Sequence, residues 1–115
     1  MEYKESVVTD LANFIVLNIH KVKVRDVAIR SGFSYRTIQK MFIFYLNQNI
    51  SDYISGMKIQ MAANDIIYSP DSIESVAIRY GYSSVQSFTH VFTKKYKISP
   101  RVFRDINHRV YVQSL

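Results

Sequence analysis

Apolar residues near the start of the chain recur at helical spacing: Val7, Val8, Leu11, Ile15 and Ile19, with Phe14 beside them. This period predicts an amphipathic helix over 6–20. Asp10 near its start and His20 and Lys21 near its end suit the helix dipole. A second helix is predicted from Val24 to Arg30. It stops at Gly32, because glycine takes the left-handed conformation that ends a helix at little cost. Val22 and Lys23 stand where a capping Ser or Asp would be expected. Ser34 caps a third helix, 35–46.

A polar break over 47–50 precedes a longer helix from Ser51 to Tyr68. Ile54, Met57, Met61, Ile66 and several alanines share one of its faces, and it extends for roughly 27 Å. Ser69-Pro70-Asp71 ends it. Asp71 and Glu74 then form a capping-box-like pair for a helix over 72–80, which Gly81 terminates. Ser83 or Ser84 caps the next helix, which reaches Lys95. Ser99-Pro100 opens a last one, 101–108; the tail from Val110 to Leu115 carries little signal. No stretch of useful length alternates with the period of a strand. The expectation is an all-α chain of about seven helices.

Part of this pattern is written twice. Val27-Ala28-Ile29-Arg30, Gly32, Phe33 and Phe42 find counterparts in Val76-Ala77-Ile78-Arg79, Gly81, Tyr82 and Phe92, with one residue inserted after the turn. Each copy is a short helix, a glycine turn and a longer helix, the helix-turn-helix pattern. The small alanine lets the two helices approach. The aromatics pin them to a core.

In such a unit the second helix can enter a DNA major groove, with its early residues on base edges. In the first copy Ile38, Met41 and Phe42 are expected to be buried, leaving Tyr35, Arg36, Gln39 and Lys40 outward. In the second, Phe88, Val91 and Phe92 are expected inside, leaving Ser84, Val85, Gln86, Thr89 and His90 outward. Arg reads guanine, Gln reads adenine and Val touches a thymine methyl. Neither outward face carries a carboxylate, although solvated helix faces usually mix both signs.

Charge agrees with this reading. Fifteen Lys and Arg against nine Asp and Glu give a net charge of +6 and a pI near 9.6, a balance that attracts polyanions. The absence of cysteine excludes disulfides and thiolate metal sites. His20, His90 and His108 have no metal-ligand spacing, and neither a phosphate loop nor a nucleophile elbow is present. The chain is therefore expected to be no enzyme and to need no cofactor. No apolar run reaches membrane-span length, and the acidic, polar N-terminus is no signal peptide, so a cytoplasmic protein without membrane contact is expected. The Lys94-Lys95-Lys97 cluster has two readings, a solvated helix end favoured by the dipole or a set of phosphate contacts.

The repeat and its flanks also carry a resemblance. Ile73, Val76-Ala77, Tyr80-Gly81-Tyr82, Ser87-Phe88-Thr89, Phe92-Lys94-Tyr96, Ile98-Ser99-Pro100 and Phe103-Arg104 form one combination. Val27-Ala28, Ser31-Gly32-Phe33-Ser34, Gln39-Lys40-Met41-Phe42 and Tyr53-Ile54 before Lys58 form another. Together they resemble the DNA-binding domain of the AraC/XylS transcription regulators, especially its small single-domain activators, from about Val7 to Asn107. The resemblance implies two helix-turn-helix subdomains joined by a rigid helix, bound to double-stranded DNA as a monomer in two adjacent major-groove segments. It implies contact with RNA polymerase in the manner of an activator. By position, Arg36, Gln39 and Lys40 match contacting residues of the first recognition helix, and Gln86, Ser87, Thr89 and His90 those of the second. Ser34, Lys58, Lys94 and Lys95 are the candidate phosphate contacts. Three residues depart from the single-domain activators: Arg36 replaces a tryptophan, Val85 a glutamine and His90 an arginine.

The expected organisation is a first subdomain over 1–50, a connecting helix over 51–68 and a second subdomain over 69–115. With Met1 at its head and no linker before the first helix, the chain is expected to be complete. The rival reading is a helical adaptor whose basic face binds an acidic protein partner.

Overall fold

The computed structural model describes the backbone of residues 2–114 and the side chains of all of these except 110–112 and 114. Seven α-helices and no strand make up the described residues: α1 (Tyr3–Leu17), α2 (Val24–Ser31), α3 (Tyr35–Leu46), α4 (Ile50–Tyr68), α5 (Ile73–Arg79), α6 (Val85–Tyr96) and α7 (Pro100–Ser114). They gather into two compact units, Met1–Met57 and Lys58–Leu115, with the division falling inside α4.

In the first unit α1 packs on α2 and α3, and α2 packs on α3. Val8, Leu11, Ile15, Ile19, Val22, Val27, Ile38, Met41 and Phe42 are buried there, with Ile50 and Ile54 from the first part of α4. α1 starts earlier than its apolar spacing predicts and stops at Leu17. The reason is Asn18, whose side-chain amide donates to the Phe14 carbonyl at 2.8 Å and closes the helix. Ile19 is thus buried from a turn. Lys23 caps α2 without a side-chain acceptor, as its sequence predicts. Asp26 supplies half of a capping box instead, accepting from the Lys23 N–H at 2.9 Å. Gly32 then turns the chain at φ +75°, a conformation that any Cβ would strain. Ser31 braces the turn: its hydroxyl donates to the Ala28 carbonyl at 2.7 Å and accepts from the Phe33 N–H at 3.0 Å.

In the second unit α5 packs on α6, and α6 on α7. Ile59, Ala62, Ala63 and Ile66 from the second part of α4 are buried, with Val76, Ala77, Tyr80, Phe88 and Phe92. An aromatic chain runs through this core. Ring centroids lie 5.1 Å apart for Tyr82 and Phe88, 5.7 Å for Phe88 and Phe92, and 5.1 Å for Phe92 and Phe103. Arg104 on α7 closes the end of α4, donating to the carbonyls of Ile66 at 2.7 Å, Ser69 at 3.3 Å and Asp71 at 2.6 Å. The Ile66 carbonyl is one of those that the end of α4 leaves without a helical partner, while Ser69 and Asp71 belong to the loop that follows. Arg79 joins Asp65, at 2.9 Å, to Asp71. The Tyr80 hydroxyl donates to Asp65 at 2.8 Å. Burial, and then this carboxylate, push the Tyr80 phenol up to about 12.

Four sequence expectations are corrected here. Ser72, not Asp71, caps α5; its hydroxyl accepts from the Ser75 N–H at 3.0 Å, and Asp71 is turned to Arg79. Met57 and Met61 are only half-buried, because the buried stripe of α4 changes register between Ile54 and Ile59, and each unit is packed by its own stretch of the helix. Val91 is 38% exposed; Phe88 and Phe92 on either side already fill the core. α7 extends to Ser114, six residues past its sequence-predicted end.

Candidate nucleic-acid interface

Both recognition helices begin the same way. Ser34 precedes α3 in extended backbone, and its hydroxyl accepts from the Thr37 N–H at 3.2 Å and donates to the Thr37 hydroxyl at 2.9 Å. Ser84 precedes α6 and accepts from the Ser87 N–H at 3.0 Å. Of the two serines considered from sequence, Ser84 is the cap and Ser83 is the inserted residue. Both side chains are employed in capping, so any phosphate contact at Ser34 or Ser84 must share the hydroxyl with the helix start. The N-terminal N–H groups and the positive end of the dipole nevertheless favour an anion there.

Beyond the caps, α3 exposes Tyr35, Arg36 and Lys40 together. Arg36 makes no hydrogen bond or ion pair among the described residues. Gln39 is different. It is half-buried, its carbonyl oxygen accepts from the Ile50 N–H at 2.9 Å, and its amide nitrogen donates to the Tyr35 hydroxyl at 2.9 Å. The sequence placed Gln39 on the outward face; the structure commits both of its polar atoms inside the first unit. Helical periodicity misses this partner because it lies in α4, beyond the end of the recognition helix. The repeat gives no hint of it, since Thr89 and Pro100 stand at the matching positions of the second copy and Pro100 has no N–H.

α6 exposes Gln86, Ser87 and His90, while Ser84, Val85 and Thr89 are half-buried. Lys94 and Lys95 are exposed in the last turn, where their charge suits the dipole. The Lys97 ammonium donates to the Lys94 carbonyl at 3.0 Å, so the third lysine of the cluster helps to close α6. Lys58 is half-buried in the second part of α4. Neither α3 nor α6 contains an Asp or Glu. The first face carries Arg36 and Lys40 where the second carries Gln86 and His90, so fixed positive charge is stronger on the first. Among the described residues no cluster of His, Asp and Glu could hold a metal.

Comparison with known proteins places this geometry. The helix-turn-helix domain family matches residues 27–106. The regulatory protein SoxS of Escherichia coli K12 is 29% identical over 101 residues, covering 87% of this chain and 94% of its own length. YkgA of the same organism is 29% identical over 109 residues, or 94% of this chain, and this chain spans 44% of YkgA. Among solved structures, an AraC-type regulator from Chromobacterium violaceum superimposes with a TM-score of 0.84 at 23% identity, covering 89% of this chain and 92% of that one.

Proposed function

We propose that this chain, which belongs to the AraC-type helix-turn-helix family of DNA-binding transcription regulators, binds duplex DNA as a monomer and activates transcription by contacting RNA polymerase. The observation that carries the DNA-reading part is the pair of recognition helices, each capped by serine, each free of carboxylates, and each exposing donors at its start: Arg36 and Lys40 on α3, Gln86 and His90 on α6. Arg36 is the strongest base reader, since an unpaired guanidinium offers two parallel donors to guanine. Gln86 fills the matching position on α6. Lys40, Lys58, Lys94 and Lys95 contribute phosphate attraction, which steers and strengthens binding without sequence preference.

Two non-identical readers in one chain favour an asymmetric site read by one protomer in two successive major-groove segments. The activator role and the polymerase contact rest on the resemblance to the single-domain activators of the family. The same reading makes the protein cytoplasmic and assigns it no catalysis. Among the described residues no helix is long and apolar enough to cross a membrane.

Selection of bound sequences from a random duplex library, followed by footprinting and analytical ultracentrifugation, tests this. The expected result is a non-palindromic footprint of about two helical turns, with one chain per site. Log affinity should fall linearly with log salt, by about 0.9 per phosphate neutralised. Arg36→Ala and Gln86→Ala should each relax preference at a different end of that site, by about 1–3 kcal/mol of discrimination. Salt-independent binding, or none, would favour the adaptor reading.

A further inference from the structure

The geometry points to Gln39 as a positioning residue, not a base reader: anchored on the Ile50 N–H, it holds the Tyr35 hydroxyl so that the phenolic proton is presented to a DNA phosphate. This inference rests on the DNA-binding reading above.

The argument starts at Ile50, the first residue of α4, which is completely buried. Its N–H is one of the four that a helix start leaves without a helical partner, and water cannot reach it easily. Gln39 supplies the acceptor at 2.9 Å. Only the carbonyl oxygen of a carboxamide accepts from an N–H, so this bond fixes which way the group faces. The amide nitrogen is thereby turned to Tyr35 and donates to its hydroxyl oxygen at 2.9 Å. A phenol that accepts from an amide still has its own proton to give. Tyr35 is the first residue of α3 and is 58% exposed. The chain of donors thus runs from the Ile50 N–H through Gln39 to the Tyr35 O–H and ends on the surface, each bond polarising the next.

Phosphate oxygens are the usual acceptors for a tyrosine hydroxyl on DNA. Gln39 keeps one lone pair and one amide hydrogen, but turning its amide to pair with adenine would break the bonds that hold it to Ile50 and Tyr35. The second copy supports the dependence on Ile50. There the matching residue is Pro100, which has no N–H to satisfy. The positions matching Gln39 and Tyr35 are Thr89 and Val85, and no such relay exists.

The test compares parent, Tyr35→Phe, Gln39→Glu and the double variant, by thermal melting and by fluorescence anisotropy with a random-sequence duplex at 0.15 M salt. Glutamate still accepts from the Ile50 N–H, but its second oxygen accepts from Tyr35 and turns the phenolic proton inward. Melting temperature should hold or rise in Gln39→Glu. Tyr35→Phe should weaken binding about tenfold, the size of one hydrogen bond to a charged acceptor. The Gln39→Glu change should cost at least about tenfold in the parent. In the Tyr35→Phe background it should cost only about twofold, from screened charge. Equal cost in both backgrounds would overturn the inference, as would a lowered melting temperature or a loss confined to the selected operator. If the parent itself fails to bind the duplex, the DNA-binding reading falls instead.

Discussion

The two helix-turn-helix units share a sequence pattern and differ in how they meet the same local demands. The arginine that ends the Val-Ala-Ile-Arg repeat shows this first. In the first unit the Arg30 guanidinium lies 4.5 Å from the centre of the Phe14 ring on α1, a contact of charge with an aromatic face. In the second, Arg79 bridges two carboxylates, Asp65 and Asp71. The aromatic pairing is closer to a true repeat. Tyr53 meets Phe42 edge-on at 5.8 Å, and its counterpart Phe103 meets Phe92 edge-on at 5.1 Å. One position further, the copies diverge again, with buried Ile54 in one and Arg104 on three carbonyls in the other. Repetition therefore preserves the geometry of the core and the turn. The rim is free to change chemistry, provided that every buried polar group finds a partner.

The largest effect that would sharpen this contrast is expected at Arg104. Arg104→Met keeps the aliphatic stem and removes the charged donors from the end of α4. Hydrogen bonds to charged groups contribute roughly 1.5–3 kcal/mol each and do not add fully, so the second unit should lose about 3 kcal/mol. Amide hydrogen exchange should show faster opening in α5 to α7, with α1 to α3 retaining their protection. Loss of protection in both units together would mean that the two do not behave as separate cooperative bodies.

The next effect belongs to the first unit. Gln39→Ala leaves the buried Ile50 N–H without its acceptor, at a cost of about 1–3 kcal/mol. Thr89→Ala, at the matching position, should stay within about 0.5 kcal/mol, because Pro100 has no donor to strand. Chemical denaturation of the two variants checks this pair. Similar losses would show that Gln39 is held by packing rather than by the Ile50 bond.

What could be read beforehand follows the range of each interaction. The glycine turns, the serine caps of α3 and α6 and the phenylalanine cores depend on neighbours within one or two turns, and periodicity exposes them. The Gln39 bond to Ile50 and the Arg104 bonds to the end of α4 join residues far apart in sequence, so no local pattern reports them. The stretch Asp71-Ser72-Ile73-Glu74-Ser75 illustrates a second difficulty. It offers two capping registers one residue apart, Asp71 with Glu74 or Ser72 with Ser75. The structure takes the second because Arg79 draws the Asp71 carboxylate away. A tertiary ion pair thus decides a local question that the sequence leaves balanced. In the long helix the stripe changes register midway, and a single amphipathic face mixes the demands of two cores.

The smallest effect expected is one of pH, and it too separates the units. The Arg79 guanidinium holds the Asp71 carboxyl below its ordinary value near 3.8, with a smaller contribution from Ser69. A carboxylate with a depressed folded-state pKa adds stability that is fully present above the unfolded value. That stability is lost as pH falls through the folded value. The window therefore opens just below pH 4 and extends downward. In the first unit the matching Arg30 lies against the Phe14 ring instead of a carboxylate. Asp71 is exposed enough that its ion pair is screened, and the shift should be modest. Melting followed by resonances of each unit between pH 6 and pH 3 should show the second unit declining more steeply at the acid end. In Asp71→Asn, which removes the titrating carboxylate and its ion pair, that extra slope should diminish. If the slope persists unchanged in Asp71→Asn, the acid sensitivity of the second unit arises elsewhere.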